Sequence, residues 1–369
     1  MMNIIILNFI LSTAVDGKII RRPSNRDTMI YNIARGFVAN GHKVTLLASD
    51  EYRPLEEESN SFDVIYFRSR LKKLCKPSLL PWPIGLGNYL KSRSRDADMV
   101  LSVETFSIPT LIASNICPEK LLIWQEVGQY QRLGFKIPAK IWCNVIARLT
   151  MGHILTVAMS ERARTFTSGF ISNLTEQIIP HGADETVFFP EDKRGDYFVV
   201  VAMLIKRKRI DSIIEKFADF ATKNEGTPIR LKIIGEGPEA DNLRSVARKR
   251  GVEELIDFEG FMDHKTMSGI SRRAIGFLIN TASDLNMVSV SESIANGTPV
   301  LMNTVPYNAS LIRKYKVGIA KADWDASDLK KIVESYEEFH TNCLKYRDNF
   351  TNRGVSKRLV DIFLERKRI

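Results

Sequence analysis

Apolar positions along the chain follow two alternating rhythms. Short, nearly continuous apolar runs recur, and most are followed by a stretch whose apolar residues return every three or four positions. Residues 3–8 (NIIILN) are the first run, dense enough for a strand buried on both faces. Residues 26–40 carry Met29, Ile30, Ile33 and Phe37 at helical spacing, and Gly41 supplies the stop. Residues 43–48 (KVTLLA), 64–67, 99–103, 121–124 and 154–158 continue the strand series. A second series opens after the proline-bounded loop 180–190. It has strands at 197–202, 229–234, 256–259 and 274–280, with helices at 211–221 and 239–250 between them. Strands separated by helices imply parallel sheets, and two successive series of similar length imply two domains. The expectation is an α/β chain of two facing Rossmann-like, doubly wound domains with a cleft between them. Residues 1–185 would form the first domain, 186–345 the second, and 346–369 a terminal helix packing back toward the first.

The first apolar run follows no basic leader and is short, so a buried strand explains it better than an export signal. No stretch reaches the eighteen apolar residues a membrane span requires. The composition is 44% hydrophobic and 26% charged, which excludes a disordered chain. Cys75, Cys117, Cys143 and Cys343 are scattered and read as reduced thiols of a cytoplasmic protein. Neither they nor the five histidines have ligand spacing, so no dedicated metal site and no cofactor is expected. The net charge of +10 suits anionic partners, but no nucleic-acid motif accompanies it.

Candidate chemistry lies in three places of the second series. In KIIGEGPEADNL (232–243) Gly235 and Gly237 allow close backbone approach at a helix start, where free N–H groups can meet an anion. In VVVAMLIKRKRIDSII (199–214) a strand delivers Lys206, Arg207, Lys208 and Arg209 into a loop, where they would oppose a diphosphate. In DLNMVSVSESIANGTPVL (284–301) Asp284 follows a strand, Glu292 lies on the next helix, and Gly297 ends that helix before another strand. Carboxylates there could hold vicinal hydroxyls of a ribose and a sugar.

These segments, with IIPHGADETVFFP (178–190), occur in the order that makes the chain resemble the retaining, nucleotide-sugar-dependent glycosyltransferases of family four, of the surface polysaccharide type, which have the GT-B fold. The N-terminal half matches more loosely, through its first strand, ARGFVANGHKVTLLAS (34–49) and the serine-marked turn ILTVAMSERAR (154–164). The resemblance implies that Glu292 bonds the donor ribose, Asp284 faces the transferred sugar and Lys208 neutralises the diphosphate. It adds Arg207, Arg209, Gly235, Gly237, Asn286, Met287 and Val288 to the donor contacts. It also implies transfer from a UDP-sugar to a glycan or lipid-linked acceptor.

Several positions depart from the family pattern. Met203 stands where an arginine is usual, and Leu285 and Met287 replace two glycines of the acid segment. Ser24 and Asn25 occupy the place of a Gly-Gly loop, with Gly17 in the same loop. The histidine often supplied by the first domain would fall near Gln125 or Glu126, which makes Glu126 a candidate catalytic contact, while His181 reads as orienting backbone and His42 as structural. Residues 68–95 mix eight cations with Leu71, Leu74, Leu79, Leu80, Trp82 and Ile84. That mixture suits docking on the anionic inner face of the cell membrane, and equally a basic loop with inward apolar residues. Two rivals stay open: a nucleotide-sugar epimerase, and a nucleotide-binding subunit without turnover.

Overall fold

A computed structural model describes the chain except for residues 13, 15–17, 131–135, 224–227 and 367–369. Gly17 lies outside the described residues. The chain divides into two compact units, one of residues 1–182 and 352–369, the other of residues 183–351.

Unit 1 holds a seven-stranded sheet of β1 (Asn3–Leu7), β2 (Lys43–Ser49), β3 (Asp63–Phe67), β4 (Met99–Val103), β5 (Leu121–Gln125), β6 (Thr156–Ala158) and β7 (Leu174–Ile178). Every pairing is parallel, in the order β3-β2-β1-β4-β5-β6-β7. The strands read as apolar runs because helices cover both faces: β5 (LLIWQ) is buried at every position. Within β5, Trp124 is fully buried, and its indole N–H donates to the Ile179 carbonyl at 2.8 Å. The helix Asn352–Arg366 returns to this unit and packs Val355, Leu359 and Phe363 into its core. The Asn40 side-chain amide ties the start of that helix down through the Arg353 carbonyl and the Ser356 hydroxyl, both at 2.8 Å.

Unit 2 holds β8 (Tyr197–Val201), β9 (Arg230–Ile234), β10 (Ile256–Gly260), β11 (Gly276–Ile279), β12 (Val300–Met302) and β13 (Gly318–Ala320), again all parallel, in the order β10-β9-β8-β11-β12-β13. Both sheets therefore run outward from their first strand and reverse beside it. The reversal falls between β1 and β4 in one unit and between β8 and β11 in the other. At such a point the connections leave on opposite sides and open a crevice beyond the carboxyl ends of the strands, where open α/β sheets bind ligands.

Several sequence expectations take their observed form here. The Ser160 hydroxyl caps the helix Glu161–Thr167 by accepting from the Ala163 N–H. Gly297 ends the helix Val288–Ala295 in left-handed backbone, φ 80°. The helix read at 346–369 begins at Asn352, after a tight turn at Arg347–Phe350. Strands β7 and β13 were not anticipated.

Gly235 and Gly237 stand at the exit of β9 and pack on the exit of β8. A Cβ on Gly235 would be driven into the Ala202 carbonyl oxygen, and one on Gly237 into that of Leu204. The Gly235 backbone also sits at φ 135°, which only glycine adopts readily. Gly235→Ala should therefore destabilise the chain by about 2–4 kcal/mol, read as a lower urea midpoint for the transition that reports unit 2. An unchanged midpoint would mean that this close approach is not needed.

Candidate functional site

The loops at the unit 2 switch point bring the cations and Asp284 together. β8 runs into a tight turn, Lys206–Lys208, which ends at Arg209 in left-handed backbone, φ 48°. β11 runs into the loop 280–287. The two loops are laced to each other, since the Ala282 N–H donates to the Arg207 carbonyl at 2.8 Å and the Thr281 hydroxyl oxygen lies 3.1 Å from the same oxygen. Asn303 straddles Thr281, accepting from its N–H at 3.2 Å and donating to its carbonyl at 2.7 Å. The Trp324 indole N–H holds the Ile279 carbonyl at 2.9 Å, just upstream.

On this frame the Asp284 carboxylate meets three donors. Lys208 Nζ lies 2.9 Å from Oδ2, Arg207 lies 2.6 Å from Oδ1, and the Thr281 hydroxyl donates to Oδ2 at 2.7 Å. Arg207 also donates to the Ser283 carbonyl. Burial pushes the Asp284 carboxyl upward, but hydrogen bonds from Thr281, Lys208 and Arg207 outweigh it and hold the group below its ordinary range. Lys208 and Asp284 are both half-buried, so their attraction is less screened than that of a surface pair. Lys206 and Arg209 are exposed, and Arg207, rather than Arg209, joins the carboxylate. Met203, at the arginine position, is exposed in the same loop.

Glu292 sits on the second turn of the helix Val288–Ala295, which starts directly after this loop. Among the described residues its carboxylate has no hydrogen-bond or ion-pair partner. It is partly reached by solvent yet densely surrounded by protein, and burial pushes its carboxyl up to about 7. Both polar atoms of the Asn286 amide are buried with no hydrogen-bond partner among the described residues. Asn286 and Glu292 follow Asp284 closely in sequence, and side chains left unpaired in this way have bonding capacity that hydroxyls could take up. The backbone passes Leu285 and Met287 without left-handed geometry; Met287 has φ −85° and its carbonyl accepts from the Asn308 amide at 2.9 Å. Loss of glycine at these two positions therefore carries no strain.

Unit 1 offers a second site, at its own switch point. A cavity of about 400 Å³ is lined by the exit of β1 (Asn8 to Ser12), by Glu104 and Phe106 after β4, and by Glu126 after β5. Glu104 is in left-handed backbone, φ 73°, an uncommon geometry for a side-chain residue and one that cavities of this kind hold under strain. Its carboxylate accepts the N–H groups of Glu126 at 2.8 Å and Val127 at 2.9 Å, and the Gln125 side-chain amide. Burial, with the Glu126 charge second, pushes the Glu104 carboxyl up to about 7. Glu126 lies 3.1 Å from the buried His181 imidazole, whose ring meets Trp124 edge-on. Glu126 and Glu104 both line this cavity, and the sequence reading singled out the first and not the second. The available signal was an acid immediately after a buried strand. His42 accepts from the Met2 N–H, and Ser24 and Asn25 bond Glu58 and the Tyr52 carbonyl.

Among the described residues no cluster of three or more His, Cys, Asp or Glu could hold a metal ion. All four cysteines are free and buried.

Glu292→Gln should flatten the pH dependence of stability. A carboxyl with a folded pKa near 7 keeps a proton that the unfolded chain releases near 4.5, so stability falls as pH rises between these values. The wild type should lose about 1–2 kcal/mol more than Glu292→Gln between pH 5 and pH 8, measured by urea unfolding. Identical slopes would contradict the burial of this group.

Residues 184–356 match the family described as Glycosyl transferases group 1. The alpha-monoglucosyldiacylglycerol synthase of Streptococcus pneumoniae is 22% identical over 172 residues, 42% of this chain and 38% of that one. The phosphatidylinositol N-acetylglucosaminyltransferase gpi3 subunit of Schizosaccharomyces pombe is 19% identical over 238 residues, 60% of this chain and 52% of that one. The matched stretches thus cover from 38% to 52% of these relatives' own length. Among solved structures, Anabaena Alr3699/HepE in complex with UDP and glucose superposes with a TM-score of 0.62 at 13% identity, covering 99% of this chain and 100% of that one. Residues 184–356 thus carry a glycosyl transferases group 1 match, and the two doubly wound parallel sheets with this whole-length likeness give the chain the GT-B fold.

Proposed function

We propose that the chain is a retaining transferase that moves a sugar from a UDP-linked donor to a glycan or lipid-linked acceptor in surface polysaccharide biosynthesis, working at the inner face of the cell membrane. The observation that carries this reading is the pairing of Lys208 and Arg207 with Asp284 at the β8/β11 switch point. Cations fixed there stabilise a departing diphosphate, and need no reorganisation as its charge develops. A diphosphate and Asp284 compete for the same two side chains, so donor binding loosens the carboxylate and turns it toward the hydroxyls of the transferred sugar. Glu292 and Asn286, unpaired among the described residues, supply bonds to a ribose. Arg207 takes the place of the arginine that Met203 lacks. No protein group is assigned as the catalytic base.

The acceptor is assigned to the unit 1 cavity, where Glu104 holds the backbone that carries Glu126. A lipid-linked acceptor is favoured by the diacylglycerol in the name of the pneumococcal relative. It is favoured also by the basic arm 68–95. The backbone of that arm closes on itself between Arg70 and Trp82, and Ser78, Leu79 and Pro81 line the cavity. Leu71, Leu74 and Ile84 are exposed on it, whereas Trp82 is covered by the Arg70 guanidinium at 4.0 Å. Among the described residues no helix is long and apolar enough to cross a membrane.

The reading is tested by incubating the protein with UDP-sugars and following UDP release, alongside calorimetric UDP binding. Lys208→Ala should weaken UDP binding at least tenfold. Asp284→Asn, which frees both cations, should keep or tighten UDP binding while lowering release by about a hundredfold. Tight UDP binding with no turnover under any donor would instead support a binding subunit, and no UDP binding at all would refute both.

A further inference from the structure

Residues 136–151 form one continuous helical rod of three parts, Lys136–Ile141, a π-helical stretch Trp142–Ala147 and Arg148–Met151. Its inner row is Ala139, Cys143, Ala147 and Met151, all buried. Its outer row is also apolar. Ile137, Ile141, Val145 and Leu149 are 71%, 54%, 49% and 76% exposed. Both rows repeat every four residues. In a pure α-helix such rows drift around the axis, and the wider π turn counters that drift and keeps each row on one face. A stripe of four exposed aliphatic side chains is more than scattered surface apolarity explains.

The charge around the stripe has one sign. From residue 127 to residue 160 the sequence contains no acid, but has Arg132, Lys136, Lys140 and Arg148. Lys140 and Arg148 are exposed next to Ile141 and Leu149. The arm 68–95 likewise contains eight cations and no acid. These two stretches together hold more positive charge than the chain's whole surplus of +10. Both reach the same cavity. Trp142 donates its indole N–H to the Thr105 carbonyl at 2.8 Å and meets the Phe106 ring edge-on at 5.4 Å, and Phe106 lines the cavity that Ser78 and Leu79 of the arm also line.

We infer that the outer stripe of the 136–151 helix is a docking face for an anionic lipid bilayer, which seats the mouth of the unit 1 cavity at the membrane. Apolar side chains enter the headgroup boundary while the flanking cations meet lipid phosphates. A second copy of the chain is a poorer occupant. Pairing two stripes would bring Lys140 and Arg148 of both copies together with no acid between them. The inference rests on the transferase reading for its purpose, delivery of a membrane-borne acceptor, but it is read out without turnover.

The test is co-sedimentation of the full chain with phosphatidylglycerol-containing or pure phosphatidylcholine vesicles at low salt. The wild type should bind the former and not the latter. Ile141→Asp with Leu149→Asp should lower binding at least tenfold, and so should Lys140→Glu with Arg148→Glu. All four positions are exposed, so UDP binding should stay unchanged and report an intact fold. Equal vesicle binding by wild type and the Ile141→Asp/Leu149→Asp variant would overturn the inference. A dimer in sedimentation velocity that the same variant dissolves, without vesicle binding, would also overturn it. Vesicle binding that depends on the stripe in a protein that ignores every UDP-sugar would keep the docking face and refute the transferase reading, and the reverse outcome would refute the docking face alone.

Discussion

Asp284 is held by Lys208, Arg207 and Thr281 at once, and that small cluster is what the architecture of unit 2 brings about. Lys208 and Asp284 lie 76 residues apart in sequence and belong to the loops after β8 and β11. They meet because these two strands are neighbours in the sheet although not in the chain, and because the sheet reverses between them. The partners that fix the loops, Asn303 and Trp324, come from farther along still. An ion pair in this position is a poor stabiliser, since desolvation offsets much of its attraction. Its value lies in keeping two cations aimed at one place without a bound anion. Under the proposed function, a diphosphate that took them over would exchange one anionic partner for another, rather than bring bare charges out of water.

Unit 1 repeats the same geometry with different chemistry. Its switch point carries Glu104 in place of a cation cluster, with the carboxylate spent on backbone N–H groups. Glu104 and Glu292 are both pushed up to about 7 by burial, so each unit keeps one carboxyl near neutrality where its loops converge. The strained backbone at Glu104 and the unpaired amide of Asn286 are departures from ordinary packing, and both lie at these loops.

The fold was legible because strands buried on both faces must be apolar throughout and their intervening helices amphipathic. β7 (LTEQI) and β13 (GIA) escaped notice for a physical reason: each is a sheet edge, the first largely polar and the second only three residues long. The acid segment and the basic loop were legible through their residue types and their order. Their contact was not, because nothing in periodicity reports which strand lies beside which. Arg207 and Arg209 are equivalent in sequence, and only the left-handed turn at Arg209 separates their directions. Glu104 carries no motif, and its role follows from φ and from the two N–H groups it collects. The outer row 137–149 is hidden in the sequence for another reason, that a helix apolar on two sides looks like an ordinary core helix until the exposure of each side is known.

The most direct test of the account is a crystal structure of the protein with UDP. The account predicts the β-phosphate within hydrogen-bond distance of Lys208 Nζ and Arg207, the ribose hydroxyls on Glu292, and Asp284 released from at least one of its cations. UDP bound away from the β8/β11 loops, with the Asp284–Lys208 pair intact, would contradict it.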